Sequence, residues 1–206
     1  MAIGHRIKLV FAAALAAALI GGAPATAQNC SDGYKFLQAV EKSDLDKVKE
    51  LTNKNSTIVD SRDLSDGHSA LHILVKRRDG PWLRYMLTLG TNPNLADKQG
   101  VTPLMLASQL GFVEGIELLA QKGAKVDEPN DAGETPLMLA VHKRDVPMTR
   151  ILLAAGADPD RSDNSGRSAR DYAKLDGADS PILEAIVRQD GKKKARKPAQ
   201  TYGPTF

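Results

Sequence analysis

The chain has 206 residues, 42% apolar and 26% charged, with a formal net charge of +3, the composition of a folded domain rather than a charged tail or a membrane bundle. Aromatic residues are only 4%, so a core must rest on Leu, Ala, Val and Ile, which favours helices packed closely through small side chains. The single cysteine, Cys30, excludes an internal disulfide.

The first 27 residues read as a signal peptide. Arg6 and Lys8 precede an Ala-rich apolar run over residues 9–20. Gly21, Gly22 and Pro24 close it, and Ala25-Thr26-Ala27 supplies a small-x-small cleavage site that leaves Gln28 first. The apolar run is short for a membrane anchor, so no transmembrane segment is expected after cleavage. With no twin-Arg pair, the general export route and a periplasmic or secreted location follow. From Gly191 the chain reads GKKKARKPAQTYGPTF, basic and without apolar periodicity. It is expected to be a disordered tail over residues 191–206. Between the two, residues 28–190 hold 21 Lys and Arg against 25 Asp and Glu. The body is mildly acidic, and neither part carries the broad basic field of a nucleic-acid-binding domain.

Residues 32–62 place Phe36, Leu37, Val40, Leu45, Val48 and Leu51 at spacings that suit two short helices. Then the chain repeats itself. Gly67, Gly100, Gly133 and Gly166 are 33 residues apart, as are Gly90, Gly123 and Gly156. After the first glycine of each copy come Ser69, Thr102, Thr135 and Ser168, then Ala70, Pro103, Pro136 and Ala169. A hydroxyl residue followed by Pro or Ala is a helix N-cap with a good first-turn residue. Leu71, Leu104 and Leu137 form the next column, which Arg170 breaks, and Ala107, Ala140 and Ala173 form another. Leu104, Leu106 and Ala107 are read as one inward helix face. Val113, Ile116, Leu119 and Ala120 mark a second amphipathic helix, stopped by Gly123. The polar stretch 124–133 turns into the next copy. One such helix pair cannot bury its own apolar face, and stacking copies builds a continuous core.

The pattern G-x-T-P-L-x-x-A followed by L-L-x-x-G-A resembles the ankyrin repeat. The resemblance implies an all-α solenoid of stacked helix-turn-helix units with β-turn fingers, about four repeats plus an N-terminal helical cap. The copies are residues 64–96, 97–129, 130–162 and an end cap at 163–190, after a degenerate cap at 31–63. The end cap puts Arg170 and Asp171 where inner copies have Leu and Met, as expected of a face that meets water. Two departures stand out. The family commonly has His after T-P-L; only His72 survives, with Met105 and Met138 in the inner copies, which therefore lack a tie between turns. Arg144 also stands where Gly111 and Gly177 separate the two helices of their repeats, so the 143–145 loop is expected to have its own shape.

No catalytic constellation emerges. His68 and His72 are four apart, but the first lies in the turn and the second occupies the family's structural position, so no metal is expected. Neither the serines nor the glycines fall in a nucleophile or phosphate-binding motif. Neither a cofactor nor enzyme activity is expected. The resemblance implies protein–protein recognition through a groove lined by turn tips and first helices. Residues matched to it are Asp66, His68, Lys76 and Arg77; Lys98, Gln99, Val101, Gln109 and Leu110; Asp131, Glu134, His142 and Lys143; and Arg167. They vary among copies while packing columns do not, and Val101 and Leu110 are the candidate apolar anchors. Trp82 is assigned to packing. The leading expectation is a periplasmic scaffold that binds another protein. The alternatives are an effector that binds a host protein and a protein tethered to an anionic envelope surface by its basic tail, the latter contact weak and salt-sensitive.

Overall fold

The computed structural model describes residues 25–177 and 179–196. Most of the expected signal peptide and the last ten residues lie outside it. Among the described residues the chain forms ten α-helices: α1 (Ala25–Glu41), α2 (Leu45–Lys54), α3 (Ala70–Arg77), α4 (Gly80–Thr88), α5 (Pro103–Leu110), α6 (Val113–Gln121), α7 (Pro136–His142), α8 (Val146–Ala154), α9 (Ala169–Leu175) and α10 (Pro181–Arg196). A 3-10 turn at Ser56–Asp60 follows α2. No described helix is long and apolar enough to cross a membrane.

The hydroxyl column starts the first helices as expected. Thr102, Thr135 and Ser168 accept from the backbone N–H three residues on, at 3.2, 3.3 and 3.2 Å. Three of the second helices, α2, α4 and α8, use carboxylates: Asp44, Asp79 and Asp145 accept from Lys47, Trp82 and Met148 N–H at 3.0, 3.2 and 2.9 Å. Each such cap is worth about 1 kcal/mol.

The helices stack in two layers. The first helix of each pair packs on the first helices beside it, from α1 through α3, α5 and α7 to α9, while α4, α6, α8 and α10 form the second layer. The seam is the repeated columns: Leu71, Leu104, Leu137, Ala107, Ala140 and Ala173 are all fully buried. Alanine at the last three positions lets neighbouring helices approach, and the leucines fill the space between layers. Helices α1 and α2 form a pair like the others, burying Phe36, Val40, Val48 and Leu51. Leu45, assigned to the same apolar face, is exposed at the start of α2. Trp82 is half-buried and meets Tyr85 edge-on.

Beyond the first helices the fingers project to one side. Isolated antiparallel bridges join Arg62 to Ser69 and Ser162 to Ser168. Neighbouring fingers touch through backbone bonds from Lys98 N–H to Asp66 O (2.9 Å) and from Asn164 N–H to Ala132 O (3.3 Å). Gly133 shows why the finger column is glycine: its φ is +79°, and a Cβ there would lie 2.7 Å from Asn164 N.

Three expectations need correction. The turn at Arg144 keeps the shape of the one at Gly111, with φ +54° against +65°, whereas Gly177 stands apart at +105°; Arg78 and Ser43 match Arg144 at +54° and +57°. The i-to-i−5 bond that closes the turn, from Asp145 N–H to Ala140 O, fixes the left-handed residue before it whatever its side chain. Secondly, α10 does not stop at Gly191 but continues through Arg196. Lys, Ala and Arg are good helix formers, and one glycine costs about 1 kcal/mol; the rest of the expected tail lies outside the described residues. Thirdly, Arg170 does not simply meet water. Its guanidinium grips Asp160 through Nε and Nη2 at 2.6 and 2.9 Å and reaches Asp190 of α10 at 2.9 Å, leaving its side chain 18% exposed.

Candidate functional site

The fingers and first helices bound a groove, and the 33-residue register builds it. A residue just after each finger glycine stands opposite one eight positions on, at the end of the first helix. These pairs are His68 with Lys76, Val101 with Gln109, Glu134 with His142, and Arg167 with Leu175. Two of them touch: Lys76 Nζ lies 3.1 Å from His68 Nδ1, and His142 Nδ1 lies 3.6 Å from Glu134 Oε1. Between the two rows run Ile73, Leu106, Leu139 and Tyr172, again 33 apart and all half-buried. Leu106, assigned to the inward face, belongs to this strip: Leu104 and Ala107 take the buried side of α5, and Leu106 is turned toward the groove. Tyr34, 61% exposed, and Leu37 extend the apolar floor into a cavity of about 320 Å³ with Ile73, rimmed by His68, Lys76 and Arg77.

The finger carboxylates are tied down by hydrogen bonds. Asp97 Oδ1 accepts from Gln99 and Val101 N–H, both at 2.9 Å. Asp163 accepts from the Ser165 and Arg167 N–H groups and from the Tyr172 hydroxyl, the last at 2.6 Å. The Tyr172 hydroxyl, then that of Ser165 and the backbone N–H groups, hold the Asp163 carboxyl far below the ordinary carboxylate range. Ser65 lowers the Asp63 pKa, first through its backbone N–H and then through its hydroxyl. These acids organise the turns, as their places at repeat boundaries imply.

His72 behaves as the family pattern implies. It is fully buried. Its Nδ1 accepts from Ser69 N–H at 3.1 Å, so Nε2 carries the proton and donates to Val101 O of the next finger at 3.0 Å. Burial lowers its pKa, outweighing the bond to Val101. Its ring stacks on His68, whose Nδ1 stands 2.6 Å from Asp66 Oδ2. Met138 fills the corresponding place with a sulfur that accepts weakly from Thr135 N–H at 3.5 Å and can donate nothing onward.

The expected binding residues divide by what they touch. Asp66, His68, Lys76, Gln109, Glu134, His142 and Arg167 line the groove walls, and Gln99 and Asp131 are exposed at finger tips. Arg77 turns to the preceding pair, donating to Val40 O and Glu41 O and pairing with Asp79 at 3.0 Å. Lys98 Nζ donates to Ser65 O at 2.9 Å and also to Leu64 O, and Lys143 Nζ donates to Gln109 O. Val101 and Leu110, the expected anchors, are half-buried, and their carbonyls accept from His72 and Arg78. Sequence reasoning missed Tyr34, Ile73, Leu139 and Tyr172. The available signal was an apolar column at 33-residue spacing beside the packing columns. Tyr172 also takes the His142 ring edge-on at 4.5 Å, with the Arg167 guanidinium 6.0 Å from its centre.

The comparisons agree with this geometry. A family model described as ankyrin repeats in three copies matches residues 36–130, and another described as ankyrin repeats in many copies matches residues 118–173. The first match begins inside α1, so the expected cap is itself repeat-like. Among curated proteins, a glycerophosphocholine phosphodiesterase of Schizosaccharomyces pombe is 37% identical over 70 residues, 34% of this chain and 6% of that protein. An Arabidopsis thaliana protein named as an E3 ubiquitin-protein ligase is 27% identical over 93 residues, 45% of this chain and 20% of that protein. The matched segments thus span a small part of either relative. Repeated columns, capped helix pairs, stacked fingers and two family models that together reach from residue 36 to residue 173 lead to one conclusion: the chain belongs to the ankyrin repeat family, whose stacks are scaffolds for protein–protein interaction.

Proposed function

We propose that the protein is a non-enzymatic scaffold of the bacterial periplasm that holds another protein in the groove between its fingers and first helices. The observation that carries the reading is the strip Ile73, Leu106, Leu139 and Tyr172: four apolar side chains left half-buried along one face while the parallel Leu and Ala columns are sealed. An apolar strip edged by polar walls is what a partner segment would cover. The groove carboxylates are engaged in turn hydrogen bonds, which fits binding rather than acid–base work. The location rests on the basic, apolar and small-x-small order of residues 1–27.

The test is affinity capture from an envelope extract of the source organism, with the wild-type protein beside an Ile73→Gln/Leu139→Gln variant of matched thermal midpoint. A protein retained by the first bait and lost by the second is the expected result. Equal retention by both overturns the groove reading. Location is checked by fractionation and N-terminal sequencing: a periplasmic protein starting at Gln28 is expected, and a cytoplasmic protein with an intact leader overturns it.

A further inference from the structure

The second-layer helices α4, α6 and α8 have nine residues each, and α10 has sixteen. Gln189 Nε2 of α10 donates to Leu153 O, near the end of α8, at 2.9 Å, and Asp190 pairs with Arg170. Past Asp190 the helix continues to Arg196, an overhang of about 9 Å at 1.5 Å per residue. The extra length is basic. Residues 188–196 hold Arg188, Lys192, Lys193, Lys194 and Arg196 against Asp190 alone. Arg188, Lys192 and Arg196 are four apart and share one face of α10. Beside them, Arg150 of α8 and Arg188 line a hollow of about 290 Å³ whose apolar part is Leu153, Ala154 and Ala185. Neither arginine forms an ion pair or a side-chain hydrogen bond among the described residues. The acids at hand are Glu184 in the same hollow, Glu117 in the next one and Asp190. Asp160 and Arg170, which complete the Asp190 triad, cancel each other. With every acid counted as an anion, six cations stand against three carboxylates.

Folding does not account for this cluster. Cations in a last turn favour the helix dipole, but that effect fades within one turn and reaches neither Arg188 nor Arg150. Like charges four apart cost a helix stability rather than add to it. We infer that this end of the second layer docks on an anionic phospholipid bilayer, with the basic face of α10 and Arg150 set against the headgroups. Val187, next to Arg188, is 56% exposed, and Tyr202 and Phe206 follow the helix in sequence. Apolar and aromatic residues beside a basic cluster suit a boundary where charged headgroups overlie acyl chains. A nucleic acid fits less well, because the cations crowd at one helix end instead of tracking a phosphate backbone. The groove is bounded by fingers and first helices and the basic end belongs to the second layer, so one molecule has separate places for a protein and a bilayer. The inference therefore stands apart from the groove reading, and where both hold, the groove's partner is kept at the membrane surface.

The test is flotation of residues 28–206, which contain the whole core, with vesicles of phosphatidylcholine alone or mixed with phosphatidylglycerol at about one lipid in three. At about 0.1 M NaCl the protein should float with the mixed vesicles and stay behind with phosphatidylcholine, and at about 0.5 M NaCl the binding should be lost. Lys192→Gln/Arg196→Gln should weaken binding about thirtyfold. Both residues lie beyond the Asp190 contact, so a folding defect is not built in, and circular dichroism checks it. Lys192→Arg/Arg196→Lys, which keeps both charges, should bind as the wild type does. Binding to phosphatidylcholine alone, binding that ignores salt, equal binding by the glutamine variant, or no binding at all overturns the inference. The floor variant Ile73→Gln/Leu139→Gln should float like the wild type, whatever it does in affinity capture; its failure to float would move the lipid contact to the groove and overturn the inference too. A short DNA duplex that displaces the vesicles at equal phosphate concentration assigns the cations to nucleic acid and has the same consequence.

Discussion

Two junctions in the stack use the same backbone and are held differently. Between the fingers carrying Asp66 and Lys98, the His72 imidazole bridges Ser69 N–H to Val101 O, Lys98 N–H bonds to Asp66 O, and the Lys98 ammonium adds the Leu64 and Ser65 carbonyls. At the next junction Met105 stands for His72 and Asp131 for Lys98. A thioether cannot donate, and an ionised carboxylate cannot bond a carbonyl. That junction keeps its apolar seam, plus the Asn94 clasp on Gly123 O and Lys125 N–H at 3.2 and 2.8 Å and the Lys143 bond to Gln109 O. The difference teaches that the Leu and Ala columns suffice to stack repeats, while polar ties between fingers are optional and unevenly distributed. Local opening of the groove should therefore concentrate at its centre.

The largest effect should come from removing the tie that exists. His72→Met, which copies the inner repeats, should cost about 1–2 kcal/mol by urea denaturation, since Ser69 N–H and Val101 O lose a buried partner. The same histidine gives the first junction a pH dependence. Its folded pKa lies below the ordinary imidazole value of about 6.5, so on acidification the unfolded chain takes up a proton that the folded chain resists. Stability is then full above about pH 6.5 and falls as pH drops below it. The urea midpoint should decline more steeply between pH 7.5 and 5 in the wild type than in His72→Met. Equal slopes would deny the buried neutral imidazole. Building the missing tie is a smaller change: Met105→His, facing Glu134 O where His72 faces Val101 O, should add up to about 1 kcal/mol and slow amide exchange in the finger around Asp131. Smallest is Asp131→Asn, which gives that finger the amide that lets Asn164 reach Asp131 O at 3.1 Å; about 0.5 kcal/mol is expected, and no gain in the urea midpoint would show that the finger gap does not limit stability.

How much of this was legible beforehand follows the physics of each part. The solenoid was, because a packing column must repeat the same residue in each layer. The structural role of His72 was legible only through the family resemblance, since the inner copies carry Met105 and Met138 at its position. The groove walls were legible as places but not as contacts: nothing in the spacing of Arg77 and Lys98 says that one turns to the preceding helix pair and the other to the preceding finger. The floor was hidden by chemistry shared with the core, since Leu106 and Leu104 look alike until the helix is rotated into place. Arg144 misled because glycine preference was taken for glycine requirement; the closing hydrogen bonds hold the left-handed turn for about 1–2 kcal/mol of strain.

Arg170 carries a last consequence. Solenoids grow by adding layers, and a terminal layer that ended on leucine at this position would offer an apolar terrace to the first layer of another molecule. Such head-to-tail contacts do not close and can propagate into filaments. With a guanidinium locked between Asp160 and Asp190, any incoming molecule would have to dehydrate an ion triad to extend the array. The residue that breaks the repeat pattern thus places a paired charge in the last layer where a leucine would have left an apolar side chain.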